Sequence, residues 1–249
     1  MPRVERNAEV TLVVLVYRSL RWLDWCMEGV DSIRTDTRYR WLVVANDATE
    51  EVRADPRISV DFRNDDPGEF YINRVYRAWN EGVLNAPTPW VVMLNSDMFG
   101  SDGWIDELMD VKCKTPKLVP TSLLIESGRL PSGMPEYVRD FGKNPDEFKA
   151  DEFKAHAASI AKPAIRQEGM GAMGVGTLVF PQTEPGRLYM PILVDRQEFM
   201  DVGGYPEGNP PGTTGDKDLV RRYAEAGFTH VTALGSVVYH CQIGEQTWP

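Results

Sequence analysis

The chain has 249 residues, 42% of them hydrophobic, enough to bury a large core without disulfides or metals. A net charge of −10 argues against wrapping a polyanion, which calls for a basic face. Cys26, Cys113 and Cys241 show neither CxxC spacing nor an even count, so no disulfide framework or structural zinc site is expected, and a reducing cytoplasm fits best.

The polar start MPRVERNAEV and the short apolar run Thr11 to Val16 give neither a signal-peptide core nor a membrane span. The expected location is cytoplasmic, compatible with peripheral attachment to a membrane. Val10 to Tyr17 reads as the first strand, and Ser19 offers an N-cap for a helix through Ile33, with Leu23, Met27 and Val30 on one face and Trp22 and Trp25 widening it. Arg34, Arg38 and Arg40 follow as a solvated connector. Trp41 to Ala45 is the second strand, ending in the polar turn Asn46, Asp47, Ala48 and Thr49 before a short helix near Glu50. Ile58 to Phe62 alternates as a third strand. A helix from Tyr71 to Leu84 carries Val75, Trp79 and Val83 at helical spacing, and Pro87 and Pro89 close it.

The stretch from Trp90 to Phe99, WVVMLNSDMF, is an apolar strand that ends abruptly in Asn95, Ser96 and Asp97. Open α/β sheets place ligand-binding groups at the C-terminal ends of their strands, which makes Asp97 the first candidate for metal binding or catalysis. Strand and helix alternate through this half, the pattern of βαβ units in a mostly parallel sheet.

The second half is less regular. Gly128 to Pro145 reads as a loop, and Asn144, Pro145 and Glu147 predict a helix start running to Ala161 and stopping before Pro163. The pentapeptide DEFKA occurs twice, from Asp146 and from Asp151; a five-residue period keeps no helical face, so this is a local duplication. Gly169 to Gly174, GMGAMG, matches the dinucleotide pattern GxGxxG, with Asp195 at the distance of a ribose-binding acid. The context is wrong, because a charged, Pro-containing segment precedes it and the strand-like Thr177 to Phe180 follows; a loop near the active site is expected instead. Asp195 precedes a helix from Gln197 to Val202 that stops at Gly203 and Gly204. Asp216 and Asp218 in GDKDL open another helix, with Leu219, Val220 and Tyr223 on its apolar side, and VVYH ends at His240. His156 and His230 read as structural or exposed, and no Ser-His-Asp or Cys-His arrangement stands out.

Taken together, NDAT at Asn46, Arg74 on its helix, NSD at Asn95, DRQEFMDVGGYPEG from Asp195, GDKDL and the terminal VVYH resemble the nucleotide-sugar-dependent glycosyltransferases of the GT-A fold, most closely the inverting family 2. The resemblance covers nearly the whole chain and is thinnest from Gly100 to Pro191. It implies an α/β, Rossmann-like fold with a mostly parallel central sheet flanked by helices. Residues 1–249 would form one domain, with 1–99 as the nucleotide-binding half and 100–249 as the acceptor-binding and catalytic half.

Site residues follow from the resemblance by position. Val16 and Tyr17 would lie beside the nucleotide base, and Asn46, with Asp47 next to it, stands where family members accept from the uracil ring; Asn in place of Asp keeps an acceptor oxygen without the charge. Arg74 matches a basic residue near the nucleotide. Asn95, Ser96 and Asp97 match the DXD-like motif with its last acid retained, so Asp97 would hold Mn²⁺ or Mg²⁺ at the diphosphate, with His240 as second ligand. Asp216 stands at the position of the general base, with Gly215 where the family has Glu, and Asp218 is the second candidate. Trp104 is a candidate sugar-stacking platform and Arg196 a candidate contact on the acceptor side with reach to the phosphates.

The chemistry asks for these groups. A departing diphosphate needs a cation to offset its charge, and inversion needs a carboxylate to take the acceptor proton. The implied partners are a nucleoside-diphosphate sugar, UDP-sugar favoured, and a hydroxyl acceptor: glycan, lipid-linked sugar, small metabolite, protein or modified nucleic acid, the last disfavoured by the acidic balance. A retaining transferase, a nucleotidyltransferase and an inactive binding module remain as alternatives, and oligomeric state is left open.

Overall fold

The computed structural model describes residues 9–64, 66, 68–128, 135–160, 165–171, 174–180, 183–210, 214–242 and 244, with backbone alone for 165–171 and 174–180. Its first half runs β1 (Val10–Val16), α1 (Leu20–Asp31), β2 (Tyr39–Asn46), α2 (Glu50–Arg53), β3 (Ile58–Phe62), α3 (Tyr71–Asn85) and β4 (Trp90–Asn95). These four strands are parallel, in the order β3-β2-β1-β4. The core residues of β1 alternate toward both faces, as expected of a strand covered on each side by helices. On α3, Trp79 and Val83 face the core, and Gly82 lets the helix lie directly on β1, since a Cβ there would overlap Val13.

The second half runs β5 (Met98–Gly100), α4 (Trp104–Lys114), β6 (Leu118–Glu126), α5 (Ala150–Ser159), β7 (Ile165–Gly171), β8 (Gly174–Phe180), β9 (Thr183–Pro185), β10 (Ile192–Asp195), α6 (Arg196–Asp201), α7 (Gly215–Glu225) and β11 (Thr229–His240). The main sheet continues past β4 as β10-β6-β11-β5, with β9 also paired to β11. Only β6 and β11 are parallel here; β10 runs antiparallel to both its neighbours, and β5 and β9 run antiparallel to β11. The sheet is therefore mixed, with its parallel character concentrated in the first half.

Two topological facts position the site. The chain moves from β1 through β2 to β3, then returns to set β4 on the other side of β1, and such a reversal opens a crevice outside the C-terminal ends of β1 and β4. Immediately after Asp97 the chain enters β5, whose Met98 is the register partner of His240 at the end of β11. That pairing brings His240 beside Asp97, 143 positions earlier in the chain.

Several local expectations are corrected. Ser19 stands at the N-cap of α1, but its side chain makes no capping bond. Asn144 Oδ1 does accept from Asp146 N at 2.9 Å and Glu147 N at 3.0 Å, yet this capped turn breaks off and α5 starts only at Ala150. The break serves packing: Phe148 and Phe153, equivalent positions in the two DEFKA copies, both enter a second aromatic core, with ring centroids 6.0 Å apart and both near Phe99. Trp22, Trp25, Phe141 and Tyr239 complete that core. In the GMGAMG segment Gly169 to Gly171 end β7 and Gly174 begins β8, with Gly171 and Gly174 as register partners, so strand and not helix follows Gly174; Ala172 and Met173 lie outside the described residues. Residues 129–134 of the Gly/Pro-rich stretch, and 161–164 including Pro163, lie outside the described residues. Among the described residues no helix is long and apolar enough to cross a membrane.

His230 is structural. Its ring stacks on Tyr189 at 5.8 Å, its Nε2 lies 3.3 Å from Thr121 Oγ1, and Gly186 leaves the space that the imidazole fills. Burial pushes its pKa down to about 4, against a weaker upward pull from the backbone of Leu188. Because the folded pKa lies below the unfolded one, this residue's contribution is intact above pH 6.5 and is lost as pH falls toward 4, by about 3 kcal/mol at most. Urea midpoints should therefore drop over that window, and His230→Gln should flatten the drop.

Candidate functional site

A cleft of about 650 Å³ opens at the crevice between β1 and β4. Of the residues singled out from the sequence, Val16, Tyr17, Asn46, Asp47, Arg74, Asn95, Ser96, Asp97, Asp216 and His240 all line it.

One end is built by the turns after β1 and β2, which Thr49 N ties together by donating to Tyr17 O at 3.1 Å. Asn46, the last residue of β2, is nearly buried, and its Oδ1 has no hydrogen-bond partner. An amide oxygen held so, facing a cleft, is a vacant acceptor for a ligand N–H. Asp47 takes a left-handed backbone (φ 48°), tolerable for Asp, and its carboxylate accepts from Asn64 N at 2.8 Å and Arg74 Nη1 at 3.4 Å. Arg74 also donates to Glu69 O at 3.2 Å, so its guanidinium is oriented before any ligand arrives. The exposed rings of Tyr17 and Tyr71 flank this end.

The middle of the cleft holds Asp97. Its main-chain oxygen accepts from Cys241 N at 3.0 Å, its Oδ2 lies 3.5 Å from His240 Nε2, and its Oδ1 is buried without a partner. Gly244 comes close enough that a Cβ there would sit 2.5 Å from Asp97 Oδ2. On its other side His240 Nδ1 lies 3.2 Å from Glu126 Oε1. Burial works against an imidazolium, but Asp97 and Glu126 outweigh it and push the His240 pKa up to about 9.

Do these residues fit a divalent cation? Among the described residues no group of three or more His, Cys, Asp or Glu side chains is arranged to hold one alone. Asp97 with an unused buried oxygen and His240 with a nitrogen facing the same carboxylate could supply two donors, which would suffice for an ion whose remaining positions were filled by ligand oxygens and waters. Cys26 does not line the cleft: it is buried with its thiol on Asn95 O at 3.6 Å, and burial, then Asp97 and Asp31, push its pKa up.

At the far end Asp216, in the first turn of α7, accepts from Tyr76 Oη at 3.2 Å. Burial raises its pKa, while the hydrogen bond from the Tyr76 hydroxyl pulls the other way. The two tyrosine rings stack at 4.9 Å with a 14° interplanar angle. Gly215 is required by this packing: a Cβ would lie 2.5 Å from Tyr76 Cε2, so the Glu expected from the family pattern has no room. Gly215→Ala should destabilise the fold by about 1 to 3 kcal/mol, the usual range for overpacking, as read by urea unfolding.

Three proposed site residues lie elsewhere. Asp218 accepts from Asn209 Nδ2 at 2.9 Å and pairs with Arg221 at 3.3 Å, and it does not line the cleft. Trp104 is fully buried at the start of α4 against Gly100, leaving no ring face for a sugar. Arg196 donates to Val83 O at 3.1 Å and Leu84 O at 2.6 Å, satisfying carbonyls at the end of α3 away from the cleft. Conversely, sequence reasoning passed over Glu126, Tyr76, Tyr205 and Gly244. Glu126 alone left a signal, a charge closing the apolar run LVPTSLLIE.

No family model matches the sequence, and neither does any curated protein. Among solved structures, the crystal structure of GalNAc-T7 with UDP, GalNAc and Mn²⁺ is similar with a TM-score of 0.60 over 95% of this chain, at 13% sequence identity. The chain has a GT-A fold. It spans 44% of the length of GalNAc-T7, and at this identity the likeness is one of architecture. The cleft lies outside the C-terminal ends of β1 and β4, where the strand order reverses, the general place for a ligand in an open α/β sheet.

Proposed function

We propose that the chain is a metal-dependent inverting glycosyltransferase that moves a sugar from a nucleoside-diphosphate sugar, UDP-sugar favoured, to an acceptor hydroxyl. The observation that carries this reading is one cleft lined by a vacant amide acceptor at Asn46, the Asp97–His240 pair and the buried carboxylate of Asp216. The similar GalNAc-T7 structure, which contains UDP, GalNAc and Mn²⁺, supports the choice of donor and ion.

In this reading Asn46 Oδ1 accepts from the base N–H, and Asp47 and Arg74 fix the surrounding turn, with Arg74 facing the donor phosphates. Asp97 and His240 would hold Mn²⁺ or Mg²⁺, imidazole favouring Mn²⁺. When bound, the ion offsets the charge that develops on the departing diphosphate. Asp216 accepts the acceptor's hydroxyl proton as that oxygen attacks the anomeric carbon from the side opposite the diphosphate. Its raised pKa makes it a stronger base than an exposed Asp. Residues 1–99 supply the nucleotide side and 100–249 the acceptor side of a single unit.

The test is product analysis. Incubation with Mn²⁺ and a panel of nucleotide sugars should release free sugar slowly, and sugar of inverted anomeric configuration by NMR. Retained configuration would make it a retaining transferase, and no turnover of any donor would remove the catalytic reading.

A further inference from the structure

Behind His240 lies a carboxylate that none of these steps uses. Glu126 closes β6, is 4% exposed, and is the register partner of His240 on β11. Its Oε1 stands 3.2 Å from His240 Nδ1. An ionised carboxylate can only accept, so in this contact a proton sits on Nδ1, while Nε2 is turned to the Asp97 carboxylate and the cleft, the side on which a cation would take the place of its proton. The strand ends are also tied by two backbone bonds and one side-chain bond: Ser127 N donates to His240 O at 3.1 Å, Cys241 N to Asp97 O at 3.0 Å, and Ser127 Oγ to Cys241 O at 2.9 Å. The imidazole is thus fixed in both position and rotation.

A charge buried this far is expensive unless paired, and an apolar residue would close the strand more cheaply. Its place is explained by what it does to the ring. We infer that Glu126 is a positioning residue for the metal, holding His240 in the tautomer and orientation whose Nε2 lone pair meets a divalent cation shared with Asp97 and the donor diphosphate. The inference rests on the transferase reading above. Carboxylates behind metal-bound histidines act in this way generally, and their loss weakens metal binding by about 10- to 100-fold.

The experiment is calorimetric titration of Mn²⁺ into the protein saturated with UDP, for wild type, Glu126→Gln and Glu126→Ala. Glu126→Ala should bind Mn²⁺ about 10- to 100-fold more weakly, and Glu126→Gln, which keeps an acceptor oxygen without the charge, should fall between. In parallel, long-range ¹H–¹⁵N spectra of the wild type with Mg²⁺ and UDP should show His240 protonated at Nδ1 and not at Nε2, the resonance being assigned by its absence in His240→Gln. Wild-type Mn²⁺ affinity in the folded Glu126 variants, or an Nε2-protonated ring in the wild-type spectrum, would overturn the role of Glu126 and leave the transferase reading standing. The spectrum needs no variant at Glu126, so misfolding of one does not remove the test. A wild type that binds no Mn²⁺ in the presence of UDP would overturn both.

Discussion

Replacing Asp97 by Ala is expected to lower turnover at saturating donor by about 10³-fold and to abolish the Mn²⁺-dependent part of UDP binding. The size follows from the ion's role, since stabilising a leaving diphosphate is worth several kcal/mol and each factor of ten in rate is about 1.4 kcal/mol. Asn95 stands where the family pattern has a first acid, so Asp97 is the one carboxylate of this motif available to the ion. The same substitution also removes the pair between Asp97 Oδ2 and His240, so the metal-free unfolding midpoint at neutral pH should fall as well, with Glu126 left as the carboxylate facing the ring. Steady-state kinetics with a calorimetric UDP titration, each with Mn²⁺ and with EDTA, checks both halves. A large fall in stability together with retained turnover would mark Asp97 as structural.

The second large effect is at Asp216. Asp216→Asn should cut kcat by about 10² to 10⁴ with little change in donor KM, the range for losing a general base. Tyr76→Phe gives the sharper result. The Tyr76 hydroxyl donates to the ionised carboxylate and so holds the Asp216 pKa down against burial. Without it the pKa rises further, and since the base must be deprotonated, the acid limb of the kcat/KM profile should move to higher pH while the plateau changes little. A profile whose acid limb stays in place, or moves to lower pH, would remove Asp216 from the proton transfer.

How much of this was legible beforehand differs between the halves of the chain. The parallel strands β1 to β4 are apolar runs ended by polar turns, and period and punctuation suffice to find them, together with Asn46 and Asp97 at their tips. The second half hides its elements because β10 and β5 are only four and three residues long, and β6 contains Pro120, Thr121 and Ser122 within its run. Trp104 and Arg196 show where composition misleads. A large aromatic after a metal motif reads as a platform, and an arginine at a helix start as a phosphate contact, but burial and the carbonyls at the end of α3 claim them. The Glu126–His240–Asp97 alignment depends on register between strands separated by more than a hundred residues, which no local pattern encodes.

The most direct measurement of the central claim is the affinity of the native protein for UDP with Mn²⁺ and with EDTA, by calorimetry. Binding at least tenfold tighter with Mn²⁺, with that gain lost in Asp97→Ala, is what the cleft predicts. Equal affinity in the two conditions, or no binding in either, would contradict it.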